Sequence, residues 1–134
     1  NAGFTVLDDK KVLYEGVQIV GITYRDKRNE KSAADALRGI ELDKTIPTIF
    51  INHPPTFQTS ALENGIDLMV SGHTHRGQLW PIRYIVRAIY GKYSYGLNTD
   101  DTLTTITTSG VGTAGPPMRL FNTPELVVIT FKTN

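Results

Sequence analysis

The sequence has 134 residues, of which 14 are basic and 13 acidic, so its formal net charge is +1. Hydrophobic residues make up 40% of the chain, which is enough for the core of one domain and excludes a disordered chain. The near-neutral charge excludes a global field that steers the chain to nucleic acid, and we expect no nucleic-acid partner. The absence of cysteine excludes a disulfide framework and a thiolate metal site. No apolar run reaches the roughly 18 residues of a membrane-spanning helix.

The chain begins Asn1-Ala2-Gly3, without methionine. Residues 1–2 are compatible with a cloning scar, and we expect residues 3–134 to be the C-terminal portion of a longer domain. No signal peptide is visible, but in an excised piece this says nothing about the parent protein.

The chain is predicted to alternate strands with helices. Runs rich in β-branched and aromatic residues predict strands at residues 4–7, 11–14, 17–24, 48–52, 68–71, 93–97, 102–108 and 126–131. Helical spacing predicts helices at residues 32–42, 56–64 and 82–90, with Ser32 as the cap of the first and Gly65 just past the second. This order indicates an α/β layer.

All three histidines follow apolar strands. His53 comes after residues 48–52, and His73-Thr74-His75 comes after residues 68–71 and Gly72. Ligands of α/β sheets bind beyond the carboxyl ends of the strands, so the histidines are candidates for a metal site. In an extended segment the residues i and i+2 point the same way, about 6.6 Å apart, and can reach two metals roughly 3.5–4 Å apart. The alternatives are that His53 is a structural turn residue and that the His-Thr-His pair is a coincidence.

Two motifs carry a resemblance to a known family. The segment Asp67-Leu68-Met69-Val70-Ser71-Gly72-His73-Thr74-His75-Arg76-Gly77-Gln78 resembles the G-H-x-H signature of calcineurin-like metallophosphoesterases. Asn52-His53-Pro54-Pro55 resembles the upstream histidine motif of the same family. The closing stretch, with Thr108-Ser109-Gly110-Val111-Gly112, Pro117-Met118-Arg119-Leu120 and Pro124-Glu125, is similar to a bacterial branch that is often membrane-attached. The resemblance covers roughly residues 3–133.

This resemblance implies a fold, an activity and a cofactor. The fold would be the C-terminal half of a four-layer α/β/β/α sandwich, with a mixed sheet and flanking helices. The parent would hydrolyse phosphomonoesters or phosphodiesters with two divalent ions (Mn, Fe or Zn) and a bridging hydroxide. His53 and His73 would bind one ion and His75 the other. One related activity is the hydrolysis of UDP-diacylglucosamine, so a lipid-linked substrate and a bacterial, membrane-associated location are expectations.

The chain also departs from the family pattern. The D-x-H, G-D-x-x-D and G-N-H-[DE] motifs of the family are absent from this sequence. The bridging aspartate and the general-acid histidine would therefore lie in a missing N-terminal half, so we assign no catalytic residue here and expect the fragment alone to be inactive. The alternative function is a non-catalytic binding or assembly domain that retains the fold and the histidine loops.

Arginines and glycines supply the remaining candidates. Arg119 could hold a substrate phosphate, with a structural ion pair to Glu125 as the alternative. Asp67 is expected to fix a turn rather than to support a ligand. Residues 110–115 match the dinucleotide pattern G-x-G-x-x-G, but prolines follow it, so the glycines are expected to shape a loop near the metal site.

The segment 76–92 is basic and amphipathic. It contains Arg76, Arg83, Arg87 and Lys92 and no acidic residue. Its position beside His75 predicts that it attracts an anionic substrate, with Arg76 as a binding residue, or a lipid surface. The alternative is an ordinary helix packed on the sheet, with its isoleucines buried in the core.

Overall fold

In the described part of the chain, six strands form one mixed sheet, and three α-helices accompany it. The computed structural model describes residues 3–24 and 30–132, with the side chains of residues 30–32 left undescribed. The strands are β1 (Lys10–Tyr14), β2 (Val17–Gly21), β3 (Thr48–Ile51), β4 (Leu68–Ser71), β5 (Gly96–Asp100) and β6 (Leu103–Thr107). The helices are α1 (Glu30–Gly39), α2 (Gln58–Glu63) and α3 (Ile82–Tyr90). This confirms the α/β class and the mixed sheet.

The strand order explains why one edge of the sheet collects the functional groups. The order is β1-β2-β3-β4-β6-β5, and β2, β3, β4 and β6 run parallel to one another. Only the outer strands β1 and β5 are antiparallel to their neighbours. The four central strands therefore end at the same edge, where ligands of parallel sheets bind.

The core lies between the sheet and the helices α1 and α2. Alternate residues of the central strands, such as Val20, Phe50 and Met69, point to this side and are at most 1% exposed. Leu37 of α1 and Ala61 of α2 pack into the same cluster and are fully buried. The period-2 alternation of the strands thus directs one row of apolar side chains under the helices.

The opposite face of the sheet is apolar as well but remains partly open. Its β-branched side chains Ile19, Ile49, Val70 and Ile106 are half-buried, and Ile51 is 51% exposed. A sheet that is apolar on both faces is typical of a layer that is covered on both sides. This second face is therefore suited to a further layer of structure.

Three of the predicted strands differ from the structure. Residues 4–7 and 126–131 form no strand within the described part of the chain, and Phe4, Leu126 and Val128 are at least 85% exposed. Strand preference reflects packing on a half-buried pleated surface, and these exposed side chains are not packed in that way. The strand predicted at residues 93–97 also differs from the structure. A 3-10 turn occupies Gly91–Ser94, and β5 begins only at Gly96.

The predicted boundaries agree with the structure for α3 but not for α1. Helix α3 has the bounds expected from its spacing. Helix α1 starts before Ser32, so the prediction that Ser32 caps it is wrong, and it ends at Gly39 rather than at residue 42. Glycine at this point is consistent with the earlier end, since it is a poor helix former.

Candidate metal centre

The ladder between β3 and β4 continues into the histidine loops. The amide of Asn52 donates to the carbonyl of Val70 (3.1 Å), and the amide of Gly72 donates to the carbonyl of His53 (2.9 Å). Buried Asn52 also fixes the loop after β3, because its side-chain amide donates to the carbonyls of Pro54 and Thr56. The two histidine motifs are therefore held side by side by backbone pairing.

His53 and His73 lie together at the carboxyl edge of the sheet. Their ring centroids are 5.0 Å apart, and the rings meet edge to face at 83°. His53 is exposed and His73 is half-buried. From the sequence, His53, His73 and His75 are all expected at one edge of the sheet. The ring distance shows this for His53 and His73 and excludes opposite faces for that pair, whereas for His75 it stays a prediction.

The surroundings of His73 favour its neutral form. Burial lowers the pKa of His73, and the nearby imidazoles of His53 and His75 lower it further because a third positive charge among them is unfavourable. Neutral imidazole is the form that binds a metal ion. His73 is therefore ready to act as a ligand near neutral pH.

The segment around His73 and His75 is a tight turn and not an extended segment. His73 and His75 have φ of 65° and 46°, in the left-handed region, while Thr74 between them is right-handed. The expectation that the two side chains point the same way because the backbone is extended is therefore wrong. Thr74 stabilises the turn, since its buried hydroxyl donates to the carbonyl of Ser94 (2.8 Å) and accepts from the amide of Arg76 (3.2 Å).

The position of His75 is fixed through its backbone. Its backbone carbonyl accepts a hydrogen bond from the side-chain amide of Asn122. Its Nδ1 atom is buried and has no hydrogen-bond partner among the described residues. Across residues 3–24 and 30–132, no three or more His, Asp or Glu side chains are grouped so that they could hold one ion. The described part of the site consequently offers a histidine pair and one further imidazole.

Gln78 connects this turn to the glycine-rich loop. Its side chain accepts from the amide of Ala114 (2.7 Å) and donates to the carbonyls of Ala114 and Pro116 (3.0 Å each). The loop 110–115 therefore lies against the turn that follows His75, as expected from its glycines. Asp67 lies at the other end of the strands and accepts from the amide of Thr48 (2.7 Å), which agrees with a structural role.

Arg119 and Glu125 do not form the ion pair considered as an alternative. The Arg119 guanidinium donates to the carbonyls of Ser109 (2.9 Å), Gly110 (3.0 Å) and Gly112. Glu125 instead accepts from the amide of Ser109 (2.8 Å) and the hydroxyl of Tyr95 (2.7 Å). Burial raises the pKa of Glu125, but these hydrogen bonds outweigh it and lower the pKa overall. Arg119 thus holds a loop, and its binding of a substrate stays a prediction.

Helix α3 is exposed along its length. Ile82, Ile85 and Ile89 are 42%, 61% and 51% exposed, so the alternative that they belong to the core is wrong. The helix packs on the two 3-10 turns that flank it, His75–Gly77 and Gly91–Ser94, rather than on the sheet. Arg76 precedes it, and its guanidinium carbon lies 4.1 Å from the ring centre of Tyr95.

Two tyrosines complete the wall around the histidines, and the sequence did not single them out. The Tyr24 ring lies 5.9 Å from His53 and 6.4 Å from His73, and the Tyr90 ring lies 6.0 Å from His73. Tyr24 follows β2 as His53 follows β3, so the same strand-end rule could have found it. Tyr90 ends α3, and no local pattern connects it to His73. Asn122 lies 47 positions from His75, so its contact depends on the tertiary fold.

Comparisons with known proteins identify several relatives that are named for metallophosphoesterase activity. An uncharacterized metallophosphoesterase of Helicobacter pylori strain J99 is 31% identical over 129 residues, which is 93% of this chain and 35% of the relative. One from Aquifex aeolicus is 32% identical over 99 residues, covering 73% and 37% of the two chains. A zebrafish (Danio rerio) relative named transmembrane protein with metallophosphoesterase domain is 32% identical over 104 residues, covering 70% and 24%. No family model matches the chain. No solved structure matches it significantly.

The chain belongs to the calcineurin-like metallophosphoesterase family. It spans little more than a third of the length of the bacterial relatives named above. Among the described residues, none of the helices is long and apolar enough to cross a membrane.

Proposed function

We propose that the chain is the C-terminal part of a metal-dependent phosphohydrolase that cleaves phosphomonoesters or phosphodiesters. The observation that carries this proposal is the His53–His73 pair, 5.0 Å apart at the carboxyl edge of a parallel sheet. Two of the relatives that cover most of this chain are named metallophosphoesterases.

The donor set fits divalent ions such as Mn, Fe or Zn. The pKa of His73 is lowered, and the Nδ1 of His75 is a buried polar atom that lacks a partner in the described part of the chain. Such an atom costs free energy unless something binds it. His53 and His73 would hold one ion and His75 the other. The bound ions would polarise the phosphoryl group and acidify a water molecule.

The residues of this chain hold and shelter the ligands. Two hydrogen bonds fix the turn that carries His73 and His75. The Thr74 hydroxyl donates to the carbonyl of Ser94, and the Asn122 side-chain amide donates to the carbonyl of His75. The rings of Tyr24 and Tyr90 flank His73. Because groups of this kind orient ligands, replacing them typically weakens metal affinity by roughly 10- to 100-fold.

The rest of the site would come from the preceding part of the parent protein. A dinuclear centre needs carboxylate ligands and a general acid, which the three histidines do not supply. The half-buried apolar face of the sheet, with Ile49, Val70 and Ile106, supports a second layer that covers it. On this proposal the 134-residue chain alone has no phosphoesterase activity.

The test is an assay of the parent protein on chromogenic phosphomonoesters and phosphodiesters, with Mn, Fe and Zn supplied one at a time. We expect metal-dependent hydrolysis that His73→Ala removes. Lys44→Ala is the control, because Lys44 is exposed and precedes β3 at the opposite edge of the sheet. A parent that binds ligands without turnover under every metal would favour the non-catalytic binding or assembly domain.

A lipid surface or a lipid-linked substrate is the second candidate, and the exposure of α3 favours it. Ile85 and Ile89 are more than half exposed, Trp80 is 49% exposed, and Arg83 and Arg87 lie beside them. Apolar and basic side chains together suit the interface of an anionic membrane. Ile85→Ser with Ile89→Ser should weaken binding to anionic vesicles by at least about tenfold. The matched control is Leu13→Ser with Leu97→Ser, which are similarly exposed (61% and 68%) on β1 and β5.

A further inference from the structure

A cleft of about 520 Å³ lies between α3 and the start of β5. Four cationic side chains line it: Arg76, Arg83, Arg87 and Lys92. Arg83 and Arg87 are one helical turn apart and so lie on the same side of α3. The opening is large enough for a phosphate-bearing group, and its walls carry one sign of charge.

Most of this positive charge is not neutralised by the protein. Lys92 pairs with Asp100. Within the described ranges, neither Arg76 nor Arg83 nor Arg87 forms an ion pair with an acidic side chain. Like charges gathered around one opening repel each other, so an anion in the cleft offsets an unfavourable field.

Two of the arginines are held in position before any ligand arrives. Arg76 stacks on Tyr95, and the Tyr95 hydroxyl is itself fixed by Glu125 at 2.7 Å. Arg83 stacks on Tyr84 at 4.9 Å and donates to its hydroxyl at 3.0 Å. When a guanidinium lies over an aromatic ring, the N–H groups along its edge remain free to donate to a phosphate. Side chains that are already oriented lose less entropy on binding.

The cleft lies next to the histidines. Arg76 follows His75 directly in the chain. At the other end of α3, the Tyr90 ring contacts His73 at 6.0 Å. Helix α3 therefore contacts the histidine pair through Tyr90, its last residue, and lines the cleft with Arg83 and Arg87.

We propose that this cleft is a second anion site, which binds a phosphate or diphosphate group other than the one that is cleaved. This inference rests on the proposed function. It restricts the substrates of that function to phosphoesters that carry a further phosphate group. The further phosphate could belong to a soluble diphosphate compound or to a phospholipid headgroup, since the same dianion recognition applies to both.

Pyrophosphate in the presence of a metal chelator tests this site separately from the metal centre. Calorimetric titration of the 134-residue chain should show binding that Arg83→Gln with Arg87→Gln weakens by about tenfold for each arginine removed. The control is Arg38→Gln with Lys44→Gln, which removes the same charge from exposed positions outside the cleft.

Vesicles of phosphatidylcholine with and without phosphatidic acid distinguish the two sources of phosphate. If the chain binds pyrophosphate but not the phosphatidic acid vesicles, the second phosphate belongs to a soluble substrate. If it binds only the vesicles, the phosphate belongs to a lipid headgroup. In either case Arg83→Gln with Arg87→Gln should weaken the binding. The proposal is overturned if neither probe binds, or if the control pair and the cleft pair lose affinity equally. A parent protein without phosphoesterase activity that still binds pyrophosphate in chelator would overturn the proposed function and leave the anion site in place.

Discussion

Gly77 lies where the turn after His75 packs against the first turn of α3. Its φ is +79°, and a Cβ placed on it would lie 2.3 Å from both the Cα and the backbone nitrogen of Arg83. These are backbone atoms, so no side-chain rotation can relieve the contact. Gly77→Ala should therefore push the first turn of α3 away from the turn that carries His73 and His75.

The expected cost has two parts. A left-handed conformation costs a residue with a Cβ roughly 1–2 kcal/mol. Overpacking that requires a backbone shift adds typically about 1–3 kcal/mol. The sum for Gly77→Ala is about 2–5 kcal/mol of unfolding free energy, which is a large part of the roughly 5–15 kcal/mol that holds a domain together.

Urea denaturation followed by circular dichroism measures this difference, and Gly16→Ala is the matched control. Gly16 has nearly the same φ, +80°, and its Cβ would meet nothing within 4 Å. The control should lose only the conformational part, about 1–2 kcal/mol. Equal losses for the two variants would show that the contact with Arg83 does not constrain the site, and the reasoning about the position of α3 would fail.

Two further predictions concern the rest of the chain. Leu37→Ala should lower the unfolding free energy by about 2–5 kcal/mol in a urea titration, because Leu37 is fully buried between α1 and the sheet, whereas the exposed Leu97→Ala should change it little. Glu125→Gln should cost about 1 kcal/mol at neutral pH after allowance for solvent exposure. Since the folded pKa of Glu125 is lowered, its contribution is present above the unfolded value of 4.5 and is lost as the pH falls through the folded value. The difference between wild type and Glu125→Gln should therefore shrink in unfolding curves recorded below pH 4.5, and a constant difference would contradict the assignment.

The sequence predicted that His53 and His73 lie at one edge of the sheet, because that placement depends on a local rule. His53 and His73 follow apolar strands, and parallel strands end at a common edge. The structure places them 5.0 Å apart for this reason. The same rule applied to β2 would have added Tyr24, whose ring lies 5.9 Å from His53.

The geometry of the turn could not be predicted in the same way. The left-handed conformations of His73, His75 and Gln78 are unfavourable for residues with a side chain, so no local preference indicates them. Contacts made after folding hold them, such as the hydrogen bond from Thr74 to Ser94 and those between Gln78 and Ala114. The strand predicted at residues 126–131 failed for the converse reason, since its local preference for strand has no partner to satisfy it in the described structure.

Arg76 tests whether this turn holds a costly backbone conformation at the edge of the proposed anion site. Its φ of 51° is left-handed, although glycine adopts that region without the penalty of a Cβ. Arg76→Gly and Arg76→Ala both remove the stacking on Tyr95 and one charge of the cleft, so they differ only in the backbone. The glycine variant should be more stable than the alanine variant by about 1 kcal/mol in urea denaturation. Both should bind pyrophosphate about tenfold more weakly than the unchanged chain. An alanine variant as stable as the glycine variant would show that the turn is not strained at this position. If both variants bind pyrophosphate as tightly as the unchanged chain, Arg76 does not contribute to the anion site, and anion binding does not explain its left-handed conformation.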